Sequence, residues 1–458
     1  MDRSVPPLGK NGVNAVGDPL HDVAGHRVRL TAAEALTNVR TVLELCAAGE
    51  ITCGATTGRP SAASIRTINT HLAQGDFYTD QPIASFAWPL LIQAGGLAKL
   101  EGTRLQPTPK GRAALGKPPA EVIRHLWQRW LTHAVIDEFS RIENVKGQRR
   151  RNVLTAAKTR RQTINEALAD CPPGEWIDVD TLFSTMRHSD QSPTIARNDM
   201  ALWKLYLVDP QYGSFGYAGF YRWELLEGRY SLAVLFEYAG TLGLVDLDYV
   251  HPAGAREDFQ NNWGGEDFDA LSRYDGLQAI RLTELGAYVL GLTGAYQPSN
   301  TAVIDAAPLK VLSNLDIVAT GDIPTPHRLL VCAYTTQIND RVWTISATSL
   351  LSALDSGRDL TEFTTFLTQH TKHDLPSTLS TLIADVQRRA GQLTDLGHAR
   401  VIECADPATA ALIANDPNLR PLCHPISNKH LAVPLDQELK FRKALLKLGY
   451  VVPGQPMT

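Results

Sequence analysis

The run Gly111-Arg-Ala-Ala-Leu-Gly116-Lys117 fits the first seven positions of a P-loop, whose backbone amides cradle phosphates while its lysine reaches the terminal ones. A working P-loop next needs Ser or Thr to hold magnesium, and a strand ahead of its first glycine. Pro118 follows instead, and Thr108-Pro109 opens a helix, so nucleotide binding is not expected here. His370-x-x-His373 with Asp374 places two imidazoles and a carboxylate close together, as a metal site would. No third His or Cys is near in sequence, and structural or solvated histidines are the favoured reading. Cys423-His424 with His430 is a weaker version of the same pattern, and no nucleophile sits on a G-x-S-x-G elbow. No catalytic residue, metal or cofactor is therefore expected.

Charge carries more. Lys146, Arg149, Arg150, Arg151, Lys158, Arg160 and Arg161 crowd one stretch without a single acid between them. Spaced by Gly147, Gln148 and Asn152, they suit phosphate contacts from a loop and a helix start; a solvated interdomain linker is the competing reading. Arg59, Arg66, Lys99, Arg104, Lys110 and Arg112 could extend the same DNA-binding surface. From Glu166 to Glu284 the sign reverses and acids outnumber bases roughly two to one, which excludes a uniformly basic coat. Within that region Tyr212, Phe215, Tyr217, Phe220, Tyr221 and Trp223 cluster among glycines. They could stack bases of a single strand, but the core of an aromatic hairpin is the favoured reading.

These residues have to be positioned by helices and short strands. Thr108-x-x-Gly111-x-x-x-Leu115-Gly116 recurs as Thr283-x-x-Gly286-x-x-x-Leu290-Gly291, each copy following an apolar helix that ends at Gly-Leu. Helix, strand, turn, strand and short helix is the outline of a winged helix, used twice. The first unit opens at Thr31, an N-cap with Glu34 in capping-box position, and Leu36, Val39, Val42 and Leu43 give its first helix a face. Helices at 61–72 and 83–94 follow, the latter holding Pro89, then wing strands and the helix from Pro109. A long helix is expected from Ala120 to Ile142. The second unit starts with a helix at 153–168, and Trp176-Ile177-Asp178 opens a strand or an Asp-capped helix. Gly243 is expected to cap its third helix. Both third helices, Phe86 to Ile92 and Leu232 to Phe236, are too apolar to face solvent, so base-specific readout is not expected.

The third region alternates: strands at 311–319 and 342–345, helices at 348–354, 359–369 and 377–391, a strand at 398–404, a helix at 407–414, a strand at 430–433 and a last helix at 437–448. The expected organisation is a loose arm (1–30), winged-helix-like domains (31–145 and 146–296), a linker (297–308) and an α+β domain (309–458).

With 458 residues, 44% of them hydrophobic and 20% charged, the composition is that of an ordinary globular protein. No run is long and apolar enough for a membrane span or a signal peptide, which reads as cytoplasmic. Six cysteines never form a C-x-x-C pair and are expected to be reduced and buried.

The segment from Leu309 to Val452 resembles the N-terminal domain of XPB-type helicases and of bacterial helicase-associated proteins. The resemblance is carried by Val342-Trp343-Thr344-Ile345 before a helix, Phe366-Leu-Thr-Gln-His370-Thr-Lys372 before Leu375-Pro376, and Leu382-Ile383 with Asp385, Arg388 and Gly391. Ala399-Arg400 before a strand and Lys447-Leu-Gly449-Tyr450 continue it in order. It implies a non-catalytic domain that sits beside a helicase motor and engages DNA. The expectation is an α+β protein that binds DNA mainly through phosphates, mostly without sequence preference, and acts with a helicase encoded as a separate chain or with another nucleic-acid machine. Its alternative is a protein-interaction scaffold or regulator that makes no direct DNA contact.

Overall fold

Thr108 and Thr283 make the same set of bonds. Each hydroxyl accepts the N–H of the glycine three residues on (3.1 and 2.9 Å) and donates to the carbonyl of a left-handed glycine, Gly96 or Gly243 (2.8 and 2.7 Å). Each threonine amide donates to the next carbonyl, of Leu97 or Leu244. The short helix is thereby pressed so close that a Cβ on Gly111 would lie 2.0 Å from the Leu97 oxygen, and one on Gly286 2.1 Å from that of Leu244. In both copies the glycine is a packing requirement of a capped helix. Gly111→Ala and Gly286→Ala should each lower stability by about 1–3 kcal/mol, whereas Lys117→Ala, at an exposed position, should change it by less than about 0.5 kcal/mol; denaturant midpoints read the difference.

The computed structural model describes residues 25–133, 135–218, 222–297, 309–393 and 397–453, and it is mixed α+β. In chain order come β1 (Arg27–Arg29), α1 (Ala32–Ala47), α2 (Ala62–His71), α3 (Ala84–Ala94), β2 (Ala98–Glu101), β3 (Arg104–Pro107), α4 (Pro109–Leu115) and α5 (Pro119–Trp130). Then follow α6 (Ala157–Ala169), β4 (Trp176–Asp178), α7 (Val179–His188), α8 (Asp199–Leu202) and α9 (Arg229–Ala233). Helical turns of wider, π-type pitch flank α9, so the chain is helical from Glu224 to Gly240. β5 (Val245–Tyr249), β6 (Leu277–Leu282) and α10 (Glu284–Leu290) complete this half. β2 and β3 form a hairpin, and β1, β5, β6 and β4 form, in that order, an antiparallel sheet.

One hydrophobic core runs from Ala35 to Val289 through both expected winged-helix domains. The two apolar third helices lie within it: Trp88, Leu91 and Ile92 of α3 and Leu232, Val234 and Phe236 of the second helix are inaccessible to solvent. Trp130, at the end of α5, stacks on Tyr238 with ring centroids 4.6 Å apart. Arg141 lies over the Phe86 ring and pairs with buried Glu237 at 2.8 Å, so one guanidinium joins both third helices.

Three expectations are corrected. The arm is not loose at its end, because Arg27, Val28 and Arg29 pair with Tyr249, Asp248 and Leu247; residues 1–24 lie outside the described ones. The capping box at Thr31 does not form: its hydroxyl donates to the Val245 carbonyl, and Glu34 is taken by Arg29 at 2.7 Å. The helix expected to reach Ile142 stops at Trp130, since the Arg161 guanidinium takes the carbonyls of Trp130, His133 and Ile136 that a longer helix would have bonded internally. Trp176–Asp178 is both things expected of it, a strand whose last residue caps α7.

Beyond residue 308, β7 (Leu309–Val311), β8 (Asp316–Ala319), α11 (Thr325–Tyr334), β9 (Thr336–Asn339), β10 (Val342–Thr344), α12 (Ala347–Asp355), α13 (Leu360–His370) and α14 (Ser377–Ala390) follow. Their antiparallel sheet runs β7-β8-β10-β9, and Tyr334 of α11 stacks on Phe363 of α13. α11 and β9 carried no sequence expectation. Apart from Gln297, the expected linker lies outside the described residues. Contact density divides the chain into units 1–383 and 384–458. The second unit holds β11 (Ala399–Glu403), α15 (Pro407–Asn415), β12 (His424–Pro425), β13 (His430–Pro434) and α16 (Glu438–Lys447), packed around Leu419, Leu431, Val433 and Phe441. Five cysteines are buried and all six are free; Cys332 is the half-exposed exception, and its Sγ accepts the Trp343 indole N–H.

Glu227 is a buried carboxyl without a cation. One oxygen accepts the Ile195 amide and the other has no hydrogen-bond partner, so burial pushes its pKa up to about 7. Between about 4.5 and 7 the unfolded chain gives up this proton before the folded one, and stability falls as pH rises. Glu227→Gln should raise the melting temperature at pH 8, with the gain shrinking as the pH is lowered toward about 5.

Candidate nucleic-acid interface

The loop 146–151 owes its shape to Gly147. With φ +83° it turns the backbone where a Cβ would lie 1.8 Å from the Lys204 carbonyl, and Lys146 and Tyr206 exchange backbone bonds across the same contact. Gln148 reaches back to the carbonyls of Ile142 and Val145, which fixes the loop from within. Lys146, Arg149, Arg150 and Arg151 are exposed, and none makes a salt bridge among the described residues. Lys146, Arg149 and Arg150 line a surface cavity of about 570 Å³ together with Ser140, Gln148, Tyr206 and Glu143, an acid that is paired with Arg273. Arg59 joins this surface through a 2.6 Å bond to Ser140.

The structure divides the basic run. Arg160 and Arg161 are each about 1% exposed and cannot meet a phosphate. Arg160 pairs with Asp137 at 2.6 Å and lies over Tyr230; Arg161 pairs with Glu138 and lies over Trp130. Burial pushes the Glu138 carboxyl upward, against the pull of Arg161. The reason was legible: Arg160 stands four and eight residues before Ile164 and Leu168, on the apolar face of α6. Lys158 remains exposed on the same helix.

The other candidates are spread out. Arg66 is exposed on α2, and Lys110 at the start of α4. Lys99 and Arg104 lie on the β2–β3 hairpin, where Lys99 is paired with Glu101 at 2.8 Å and Arg104 is opposite that same acid. Arg112 packs against Gly357, in a groove of about 590 Å³ that also takes in Arg40, His327, Arg358 and His370. There His370 stacks on Phe366 and meets the His327 ring edge-on, while His373 is solvent-exposed. Burial, with His370 and Arg40 nearby, pushes His327 down to about 4.

One cation beside the loop escaped sequence reading. Arg197 bonds the Asn152 side chain and donates its amide to the Val153 carbonyl, while Lys204 meets Gly147 through its backbone carbonyl. Arg197 lies in irregular chain, where no periodicity marks a face. The aromatic cluster also divides: Phe215 is core, Tyr212 and Tyr217 are exposed, and Phe220 and Tyr221 lie outside the described residues.

With this geometry in place, comparison with known proteins gives a family match. Residues 335–425 match the family described as helicase conserved C-terminal domain. No curated protein matches the chain. The C-terminal region is therefore helicase-related in sequence. Its first part is tied to the N-terminal half by Arg358, which pairs with buried Glu44 of α1. Among the described residues no helix is long and apolar enough to cross a membrane.

The division of the run has a measurable consequence. Arg161→Ala strands Glu138 in the core and should cost about 3–5 kcal/mol, while Arg150→Ala should stay within about 0.5 kcal/mol; thermal or chemical denaturation of both variants checks it.

Proposed function

We propose that this protein is a non-catalytic DNA-binding protein that works with a helicase or other nucleic-acid machine and holds DNA mainly through its phosphates. The observation that carries the reading is the exposed set Lys146, Arg149, Arg150 and Arg151, without acidic partners, on a loop braced by Gln148 and Gly147. Cations kept at a surface in this way are free to exchange condensed counterions for phosphates. The match of residues 335–425 to a helicase-related family supports the association with a motor. It lies within the segment 309–452 that resembles the XPB N-terminal domain, and it supports the helicase-related character of that segment.

In this reading α1, α2 and α3 with the β2–β3 hairpin form one winged-helix-like unit. The helices α6, α7 and 224–240 with β5 and β6 form a second, a repeat of the first. Both act without their third helices entering a groove, because those helices are buried in the shared core. The scaffold alternative drew its support from the acidic middle and from the same apolar helices; the burial of those helices leaves it the acidic middle alone. A cytoplasmic location fits the proposal.

Binding to random duplex DNA, followed by fluorescence anisotropy across a salt series, tests the proposal. The affinity should fall steeply with salt, and replacing Arg149, Arg150 and Arg151 together by Ala should flatten the log–log slope by about 2 to 3. Absence of binding at low salt, or a triple variant that binds like the parent, would overturn it.

A further inference from the structure

Four large aromatic rings stand exposed in or against the chain segment that braces the basic loop. They are Trp203 (44%), Tyr212 (59%), Tyr217 (65%) and Trp263 (62%). They come as two pairs: Trp203 meets Tyr217 edge-to-face at 4.7 Å, and Tyr212 meets Trp263 at 5.6 Å. Solvent-facing rings in pairs are costly unless something covers them, and the backbone is shaped to hold them. Gly216 lies under the Trp203 ring, where a Cβ would come within 2.3 Å of it. Phe215, between Gly216 and Ser214, is buried and donates its amide to Leu205, anchoring the segment that carries Tyr217.

The rings and the cations belong to one ladder. Tyr206 bridges Lys146 on one side and Ser214 on the other. Trp203 is next in chain to Lys204, whose carbonyl meets Gly147, and Tyr217 is three residues beyond Ser214. At about 3.8 Å between successive Cα atoms, both rings of the first pair lie within a few residues of Arg149 and Arg150 along this ladder. Arg197 adds a further cation through Asn152. The second pair is carried in part by the loop between β5 and β6, where Glu266 and Asp267 follow Trp263, whereas the first pair lies wholly on the segment bridged to the basic loop.

From this juxtaposition we infer that the loop 146–151 and the Trp203–Tyr217 pair form a binding surface for single-stranded DNA. The cations take successive phosphates and the rings stack unpaired bases. A duplex offers the same phosphates but keeps its base faces covered, so it can use only the loop; an open strand uses both. The inference rests on the phosphate-binding reading of that loop and adds the strand preference to it. Such a surface fits a strand held open beside a motor that separates duplexes.

The test uses the full chain, a fluorescent oligo-dT and a random-sequence duplex of equal length. Single strand should bind more tightly than duplex and quench tryptophan emission. Tyr217→Ala and Trp203→Ala should each weaken single-strand binding about tenfold while leaving duplex binding unchanged. Trp203→Phe, which keeps a ring on Gly216, should retain most of the affinity and so separates stacking from misfolding. If duplex binds as well as single strand and Tyr217→Ala binds oligo-dT like the parent, the strand preference is wrong while the phosphate reading stands, and the exposed rings are then a protein-docking surface. If neither DNA binds at low salt, both readings fall together.

Discussion

Two buried ion pairs at the meeting of α5, α6 and the two third helices hold the remainder of the first unit in place. Arg161 with Glu138 and Arg141 with Glu237 put four charges where water hardly reaches. Each is tolerable there only because its partner and further acceptors are present. Tyr274 completes the set by donating to Glu237, and Arg141 also donates to the Pro82 carbonyl. Aromatic faces fill the space between: Trp130 under Arg161 and on Tyr238, and Phe86 under Arg141. Arg229, paired with Asp258 and Asp275, extends the same principle to the loop between β5 and β6.

That arrangement decides what the surface is left to do. Because α3 and the helix 224–240 pack into one core, neither can present a reading face. Because Arg160 and Arg161 are drawn inward from α6, the cations of the run left for solvent are Lys158 and those of the preceding loop. One residue type in a single run therefore has two fates, and the helical phase of α6 assigns them. The loop gains rigidity from its neighbours, since Gly147 and Tyr206 lock it to the chain that presents Trp203 and Tyr217.

The helicase-related segment contributes to the same body in its first part. Residues 335–383 lie in the first unit and 384–425 in the second. α11, just ahead of the match, packs along α1, and Arg358 reaches Glu44 on that helix. Tyr334, on α11, donates to Glu362 and stacks on Phe363, fixing α13 beside it.

Much was written in the sequence. The helices 62–71, 84–94, 347–355, 360–370, 377–390 and 407–415 follow from apolar spacing and caps that act locally, as does the decoy character of Gly111 to Lys117. The exposed loop at 146–151 is legible as a charge run, and the spacing of Arg160 to Ile164 and Leu168 places it on the inward face of α6. Elsewhere the deciding partners are far away in the chain. β1 needs β5, more than two hundred residues on; Thr31 exchanges its capping role for Val245; α5 ends where Arg161 arrives to take its carbonyls. α11, a short helix opened by Pro324 and Pro326, and the exposure of Trp203 and Tyr217 depend in the same way on what packs beside them. Local propensity and periodicity fix elements, since backbone bonding within a helix needs only its own residues. Which charges are buried, which rings face water and where a helix stops are set by groups that only the tertiary fold brings together.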